Sequence, residues 1–192
     1  MATRVKSPDK RKALLKATLS LVNNHGFHAA PMSKIAKLAK VSPATIYIYF
    51  DNKQDLINQL YLEVKADFSE QAFQNYTEGL PVKKGFEIIW YNMASYKINK
   101  PEESNFLSQC DNTPMIDEKS REEGLKNIEP LLNLWERGKS EGIIKNICPY
   151  ILYAFTIYPL AFLMTSHQRG DFELKDDLKT IAFQAAWDSI RI

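Results

Sequence analysis

Apolar residues recur at helical spacing along nearly the whole chain, and no stretch alternates strictly between apolar and polar positions across a hairpin turn. The pattern predicts an all-α protein. Leu14, Leu15, Thr18, Leu21 and Val22 form one face of a first helix. It opens at Ser7-Pro8, a capping residue followed by proline in the first turn, and stops at Asn24-His25-Gly26. A short second helix over 32 to 39 places Ile35, Leu38 and Ala39 on one side, with the small Ala36 free for close contact. After a tight turn at Lys40-Val41, Ser42-Pro43 repeats the opening signal and starts a third helix that carries Thr45 to Phe50. Asp51 followed by Gln54 has the spacing of a capping box, and Leu56, Ile57, Leu60, Tyr61, Val64 and Phe68 continue a fourth helix. Beyond Gly79 and Pro81 the punctuation predicts helices over 82–99, 102–110, 117–141, 150–168 and 173–190. Pro130 and Pro159 fall inside two of these and are expected to kink or divide them.

Two of the later segments bear on assembly. Residues 146 to 168 contain no Lys, Arg, Asp or Glu, a run long enough to cross a bilayer. Pro149, Thr156, Pro159 and Ser166 to Gln168 interrupt it, there is no second such run, and no strong basic cluster flanks it. A helix buried on most sides, with no membrane partner, is the better reading. The last helix has two apolar stripes, Leu178, Ile181, Ala182 and Ala185 on one and Phe183, Trp187 and Ile190 on the other. A terminal helix needs one buried stripe, so a second implies a partner surface. Paired with the uncharged helix it predicts a four-helix bundle with a symmetry mate, through Phe155, Phe162, Phe183, Trp187 and Ile190.

Charge divides the chain in a way the net value of +2 conceals. Residues 1 to 53 hold 10 Lys or Arg against 2 Asp or Glu, a local charge of +8, and the remainder carries −6. The aromatic residues divide the other way, 18 of the 22 falling after residue 53. The expected domains are therefore a basic module over 1–53, suited to a polyanion, and a larger helical domain over 54–192 with bulk for a core and a pocket. At 45% hydrophobic and 25% charged, the 192 residues exclude a disordered chain. Cys110 and Cys148 are too few for a disulfide framework, and the basic N-terminus lacks the apolar core of a secretory signal, so a cytoplasmic location is expected. An enzyme is not expected. His25, His28 and His167 have no metal-ligand company, and the sequence holds neither a phosphate-cradling glycine loop nor a nucleophile elbow, so no cofactor or metal is predicted.

The densest signal runs from Gly26 to Lys53, where two short helices flank a three-residue turn. Ile35, Ala36, Val41 and Ile46 are spaced to form the small core of a helix-turn-helix, which places its second helix in the major groove of duplex DNA. Gly26-Phe27, Ile35-Ala36, Ala39, Val41-Ser42, Thr45, Tyr47, Tyr49-Phe50, Lys53 and Leu56 together resemble the DNA-binding signature of tetracycline-repressor-type (TetR/AcrR) bacterial transcriptional regulators. The resemblance implies an N-terminal three-helix DNA-binding domain followed by a larger helical domain for ligand binding and dimerisation. By matching position it assigns the DNA surface to Ser42, Pro43, Ala44, Thr45, Tyr47, Ile48, Tyr49 and Lys53. Two positions depart from the family pattern. Lys40 stands where many members have glycine, and Ala30-Pro31-Met32 leaves Ser33 as the nearest hydroxyl at the start of the second helix. Lys34, Lys37 and Lys40 on or beside the second helix are expected to add non-specific attraction to phosphates, and Arg4 and Lys6 on the leading segment to enter a neighbouring minor groove. The third helix contains no Arg, Lys, Asn or Gln, so bidentate reading of guanine or adenine is absent from it.

The resemblance further implies a ligand-responsive regulator, a repressor by family habit, that binds a palindromic double-stranded operator as a homodimer. A small hydrophobic or aromatic effector would release it. Candidate lining residues of the larger domain are Trp90, Met93, Tyr96, Phe106, Trp135, Tyr153 and Thr156. The competing class is a helical protein-binding or membrane-associated module using the 146 to 168 segment.

Overall fold

The computed structural model describes residues 7–192; Arg4 and Lys6 lie outside the described residues. It contains α1 (Pro8–His25), α2 (Met32–Leu38), α3 (Pro43–Tyr49), α4 (Lys53–Ala72), α5 (Val82–Asn99), α6 (Pro101–Asn112), α7 (Glu118–Lys126), α8 (Glu129–Ser140), α9 (Pro149–Thr156), α10 (Tyr158–Arg169) and α11 (Asp176–Ile190). The all-α expectation holds, and among the described residues the sole extended pairing is an isolated bridge of Ile144 with Arg191. Both internal prolines divide a helix. Pro130 stands in the first turn of α8 and Pro159 in the first turn of α10, where a missing N–H costs nothing.

The helix starts need two corrections. Ser7 occupies the N-cap position of α1, yet its hydroxyl makes no capping bond. At α4 the box is shifted by one residue from Asp51/Gln54: Asn52 Oδ1 accepts the Asp55 N–H at 2.9 Å, and Asp55 Oδ2 accepts the Asp51 N–H at 2.9 Å. Gln54 instead donates to the Met115 carbonyl at 2.7 Å.

Two compact units emerge. The first contains the chain up to Lys65 together with Glu102–Gly124; the second contains Ala66–Pro101 and Leu125–Ile192. In the first, Leu14, Val22, Ile35, Ile46, Leu56, Ile57 and Tyr61 are buried along with Phe106 and Cys110 of α6. Polar bonds hold α6 and the following loop in place. Gln109 donates to Asn23 Oδ1 at 3.0 Å, Asn23 donates to the Glu102 carbonyl at 2.8 Å, and Asn58 donates to Asp117. Tyr61 packs so closely on Gly124 that a methyl group there would lie 2.6 Å from the phenol, and burial pushes the phenol's pKa up to about 12. Phe106, expected to line a cavity of the larger domain, is thus part of this first core.

In the second unit α5 is central and packs against α8, α10 and α11, while α9 packs against α10 and α11. Trp90, Met93, Tyr96, Trp135 and Thr156 are buried in this core and Tyr153 is half-buried. The helix break at Ile157 has a specific complement. Leu160 N–H bonds the Ile157 carbonyl, which leaves the Thr156 carbonyl without its helical partner, and the Trp90 indole donates to it at 3.0 Å.

The structure corrects the two assembly expectations in detail. Phe183, Trp187 and Ile190, assigned from the sequence to a partner surface, lie inside the protomer's own core. The cause is aromatic packing on α5, with the Phe183 ring 5.7 Å from Trp90 and 6.0 Å from Phe86, and Trp187 6.0 Å from Phe86. The outward stripe of α11 is the other one, with Leu178 and Ile181 exposed. The uncharged segment is not buried on most sides either. Pro149–Arg169 is long and apolar enough to cross a membrane, and only 33% of that window is buried. Phe155 and Phe162 stand out, 60% and 69% exposed, beside exposed Tyr150, Ile151 and Tyr158.

Candidate nucleic-acid interface

The helix-turn-helix is built from its core outward. Ile35 and Ala36 of α2, Ile46 of α3 and Ala30 before them are wholly buried, and Phe50 closes the far end. The Val41 N–H bonds the Ala36 carbonyl at 2.9 Å and the Lys40 N–H bonds the Lys37 carbonyl at 3.1 Å, wrapping the chain around the end of α2. Lys40 accordingly takes φ 55°, the left-handed conformation that favours glycine. A non-glycine residue there costs about 1–2 kcal/mol, partly offset by the entropy glycine loses on folding. Lys40→Gly is therefore expected to stabilise the fold by about 0.5–1 kcal/mol in urea denaturation. A lower midpoint would show that the Lys40 side chain contributes more than its backbone strain costs.

Opposite this core lies a continuous outer surface. Ser33 and Lys34 of α2 are exposed, as are Lys37, Ser42, Pro43, Ala44 and Tyr47, while Thr45 and Ile48 are half-buried. Ser42 caps α3, its Oγ accepting the Thr45 N–H at 3.2 Å and sharing a 2.7 Å hydrogen bond with the Thr45 hydroxyl. Two of the expected surface residues are engaged within the fold. The Lys53 ammonium donates to the Phe27 carbonyl and sits 4.2 Å from the Phe27 ring centroid, and burial lowers its pKa from 10.5. Tyr47 and Tyr49 part company, as residues two apart on a helix must. Tyr47 is 57% exposed, whereas Tyr49 is half-buried and its hydroxyl accepts the Ser7 N–H at 2.8 Å.

Sequence reading missed Arg11, which ties α1 to the middle of α4. Its guanidinium donates to Gln59 at 2.8 Å and to Glu63, and lies 5.7 Å from the Phe50 ring centroid. The spacing of Arg11 from these partners exceeds 35 residues, so no local pattern announces it.

A short helix whose apolar side is sealed in a small core, and whose other side offers hydroxyls, methyl groups and flanking lysines, is a surface for a DNA major groove. Residues 14–60 match the family model described as bacterial regulatory proteins, tetR family, and residues 81–191 match that of the tetracyclin repressor-like C-terminal domain. The second match alone covers more than half of the chain.

The chain belongs to the TetR family.

It is a transcriptional regulator with a DNA-binding helix-turn-helix, in keeping with its relatives, which are regulators rather than enzymes. An uncharacterized HTH-type transcriptional regulator of Haemophilus influenzae is 24% identical over 183 residues, spanning 95% of this chain and 96% of its own. A TetR family transcription regulator from Marinobacter aquaeolei VT8 has TM-score 0.89 at 29% identity, over 95% of this chain and 96% of that one. The fold extends to FadR from Bacillus subtilis in complex with stearoyl-CoA, with TM-score 0.67 at 20% identity over 91% and 95% of the two chains.

Exposed Lys34 and Lys37 give this TetR regulator a testable electrostatic signature. Each phosphate neutralised contributes about 0.9 to the log–log salt slope, so the double Lys→Ala variant is expected to flatten the slope by up to about 1.8. An unchanged slope in fluorescence anisotropy titrations would place both ammonium groups away from the duplex.

Proposed function

We propose that this TetR-family regulator represses transcription as a homodimer on a two-fold symmetric operator and is released by a small, largely apolar effector bound in the second unit. The observation that carries the reading is the outward Ser42-Pro43-Ala44-Tyr47 surface backed by the sealed Ile35-Ala36-Ile46 core. Ser33, Lys34, Thr45 and Ile48 extend this surface. Lys53 and Tyr49 act mainly by shaping it, given their bonds to Phe27 and Ser7. With no Arg, Lys, Asn or Gln on α3, specificity rests on thymine methyl groups, hydroxyls and DNA shape, so each half-site has few strongly specified positions.

Ile151, Phe155, Tyr158 and Phe162 follow one another at steps of four, three and four, one stripe running through α9 and α10. With Leu178 and Ile181 of α11 they form an exposed apolar face of the kind that a second copy covers. A dimer presents two recognition helices about 34–36 Å apart, or a multiple of it, to successive major grooves. The effector reading rests on the aromatic and apolar character of the second unit's interior, where Trp90, Met93, Tyr96, Trp135 and Thr156 are buried and Tyr153 is half-buried. A polar handle on the effector has a candidate partner in the Trp135 indole N–H, which is buried without a hydrogen-bond partner among the described residues. The stearoyl-CoA complex of FadR supports an apolar effector for a fold of this kind.

Selection of bound duplexes from random fragments tests the proposal. The expected product is a pair of inverted half-sites with centres about one helical turn, or a multiple of it, apart. No enrichment at low ionic strength would overturn the DNA reading. Equal effector affinity with and without operator would overturn the release mechanism, because the coupling between two ligands is reciprocal.

A further inference from the structure

We infer that the effector is an uncharged molecule with one hydrogen-bond acceptor of the ketone, ester or thioester kind, held by the Trp135 indole N–H in the interior of the second unit. The inference rests on the effector reading above and narrows it to a chemical class. α8 turns Leu131, Leu134, Trp135 and Gly138 inward and packs on α5. Trp135 is wholly buried, and its Nε1–H has no hydrogen-bond partner among the described residues. A buried donor in that state forfeits its bonds to water, a loss that phenylalanine at the same position would not incur. Other polar groups of the same core are engaged. The Trp90 indole donates to the Thr156 carbonyl at 3.0 Å, the Thr156 hydroxyl to the Leu152 carbonyl at 2.6 Å, and the Tyr96 hydroxyl to Asp67 at 2.9 Å.

Charge and donor count set the class. Among the described residues, no Lys, Arg, His, Asp or Glu of the second unit is buried. An ionised group carried into that interior would have no counter-ion, and an unpaired buried charge costs far more than a neutral contact returns. Any ionised part of the effector therefore stays outside. An indole N–H donates once and accepts nothing, so it matches a single neutral oxygen. Water is a poor substitute. It needs two to four polar partners, and among the described residues Trp135 Nε1 is the one buried side-chain atom of this unit that lacks a bond. An oxygen carried on an apolar molecule needs only the one donor, because aromatic and aliphatic side chains meet the rest. Met93 and Met164, buried in the same unit, are unbranched and suited to repacking around such a body.

Three probes built on one ring test the inference with the full-length protein: ethylbenzene without an acceptor, acetophenone with a neutral carbonyl, and benzoate with an ionised one. Calorimetric titration gives the affinities. A nitrogen–proton correlation spectrum reads the indole N–H of Trp90, Trp135 and Trp187, assigned by Trp→Phe replacement at each position. Acetophenone is expected to move the Trp135 signal downfield relative to ethylbenzene, whose ring and shape are the same, so that the difference isolates the new bond. Trp135→Phe is expected to weaken acetophenone by about ten-fold and to leave ethylbenzene unchanged. Benzoate is expected to bind the unaltered protein more weakly than acetophenone. Equal losses of acetophenone and ethylbenzene in Trp135→Phe, or the same Trp135 signal with both at saturation, would overturn the inference and leave the effector reading standing. Benzoate binding as tightly as acetophenone would do the same. Binding of none of the three at millimolar concentration would overturn the effector reading and the inference with it. Thermal unfolding checks the Trp135→Phe fold, and the spectrum of the unaltered protein carries the test if that variant does not fold.

Discussion

Glutamate at both Phe155 and Phe162 is expected to yield a folded monomer that has lost operator binding by about a hundred-fold or more. These side chains are 60% and 69% exposed on the protomer, so the change costs little internal packing. With Ile151, Tyr158, Leu178 and Ile181 they make six large apolar side chains exposed on α9, α10 and α11, the kind of surface that marks an interaction site. An isologous dimer uses the same patch of both chains, so two new charges per chain become four within one desolvated interface. The DNA effect follows from linkage between two half-site contacts. A dimer binds its second half-site at high effective concentration, and a gain of about 10² to 10⁴ disappears when the halves separate. Analytical ultracentrifugation reads the assembly and anisotropy titration reads the affinity. A glutamate variant that stays dimeric would place the dimer contact elsewhere.

The second large effect concerns the core of the second unit. Trp90→Ala is expected to cost about 3–5 kcal/mol in guanidinium denaturation, the usual loss for a buried tryptophan. Trp90 is wholly enclosed, its ring lies 5.7 Å from Phe183 and 5.3 Å from Tyr91, and its indole answers the Thr156 carbonyl at the break between α9 and α10. A matched pair of milder changes isolates that bond. Trp90→Phe leaves a buried carbonyl unsatisfied and is expected to cost about 1–3 kcal/mol beyond its lost volume. Trp135→Phe removes an indole N–H that has no partner among the described residues, so it should lose volume alone. Equal losses for the two Trp→Phe variants would remove the hydrogen bond at the helix break from the account.

Neither of these effects was fully legible in the residue pattern. A run without charges points Phe155 and Phe162 to a partner surface, and both are exposed. The second apolar stripe of the last helix points Phe183, Trp187 and Ile190 to the same partner surface, whereas the structure buries them, Phe183 against Trp90 of α5. A helix with two apolar stripes tells the reader that both need covering, yet the stripes are equivalent until a specific neighbour fills one of them. Phe86 and Trp90 are that neighbour, more than 90 residues away. Phe106 is a similar case. Its helix follows α5 directly in sequence, and it takes the bonds of Asn23, Gln109, Gln54 and Asn58 and the packing of Tyr61 on Gly124 to show that residues 102–124 join the N-terminal elements.

What the chain determined alone was the set of short-range signals. Ser-Pro helix starts, the prolines that divide helices, the left-handed Lys40 and the Ile35-Ala36-Ile46 core act over a few residues, so their energetics are complete within a short window of sequence. These sufficed for the helix-turn-helix and hence for DNA binding. The tertiary structure decided which stripe of α11 faces solvent, which tyrosine of α3 turns inward to Ser7, and where α6 docks. Those outcomes depend on packing and hydrogen bonds between residues far apart in the chain, where the same local pattern is compatible with either face being buried.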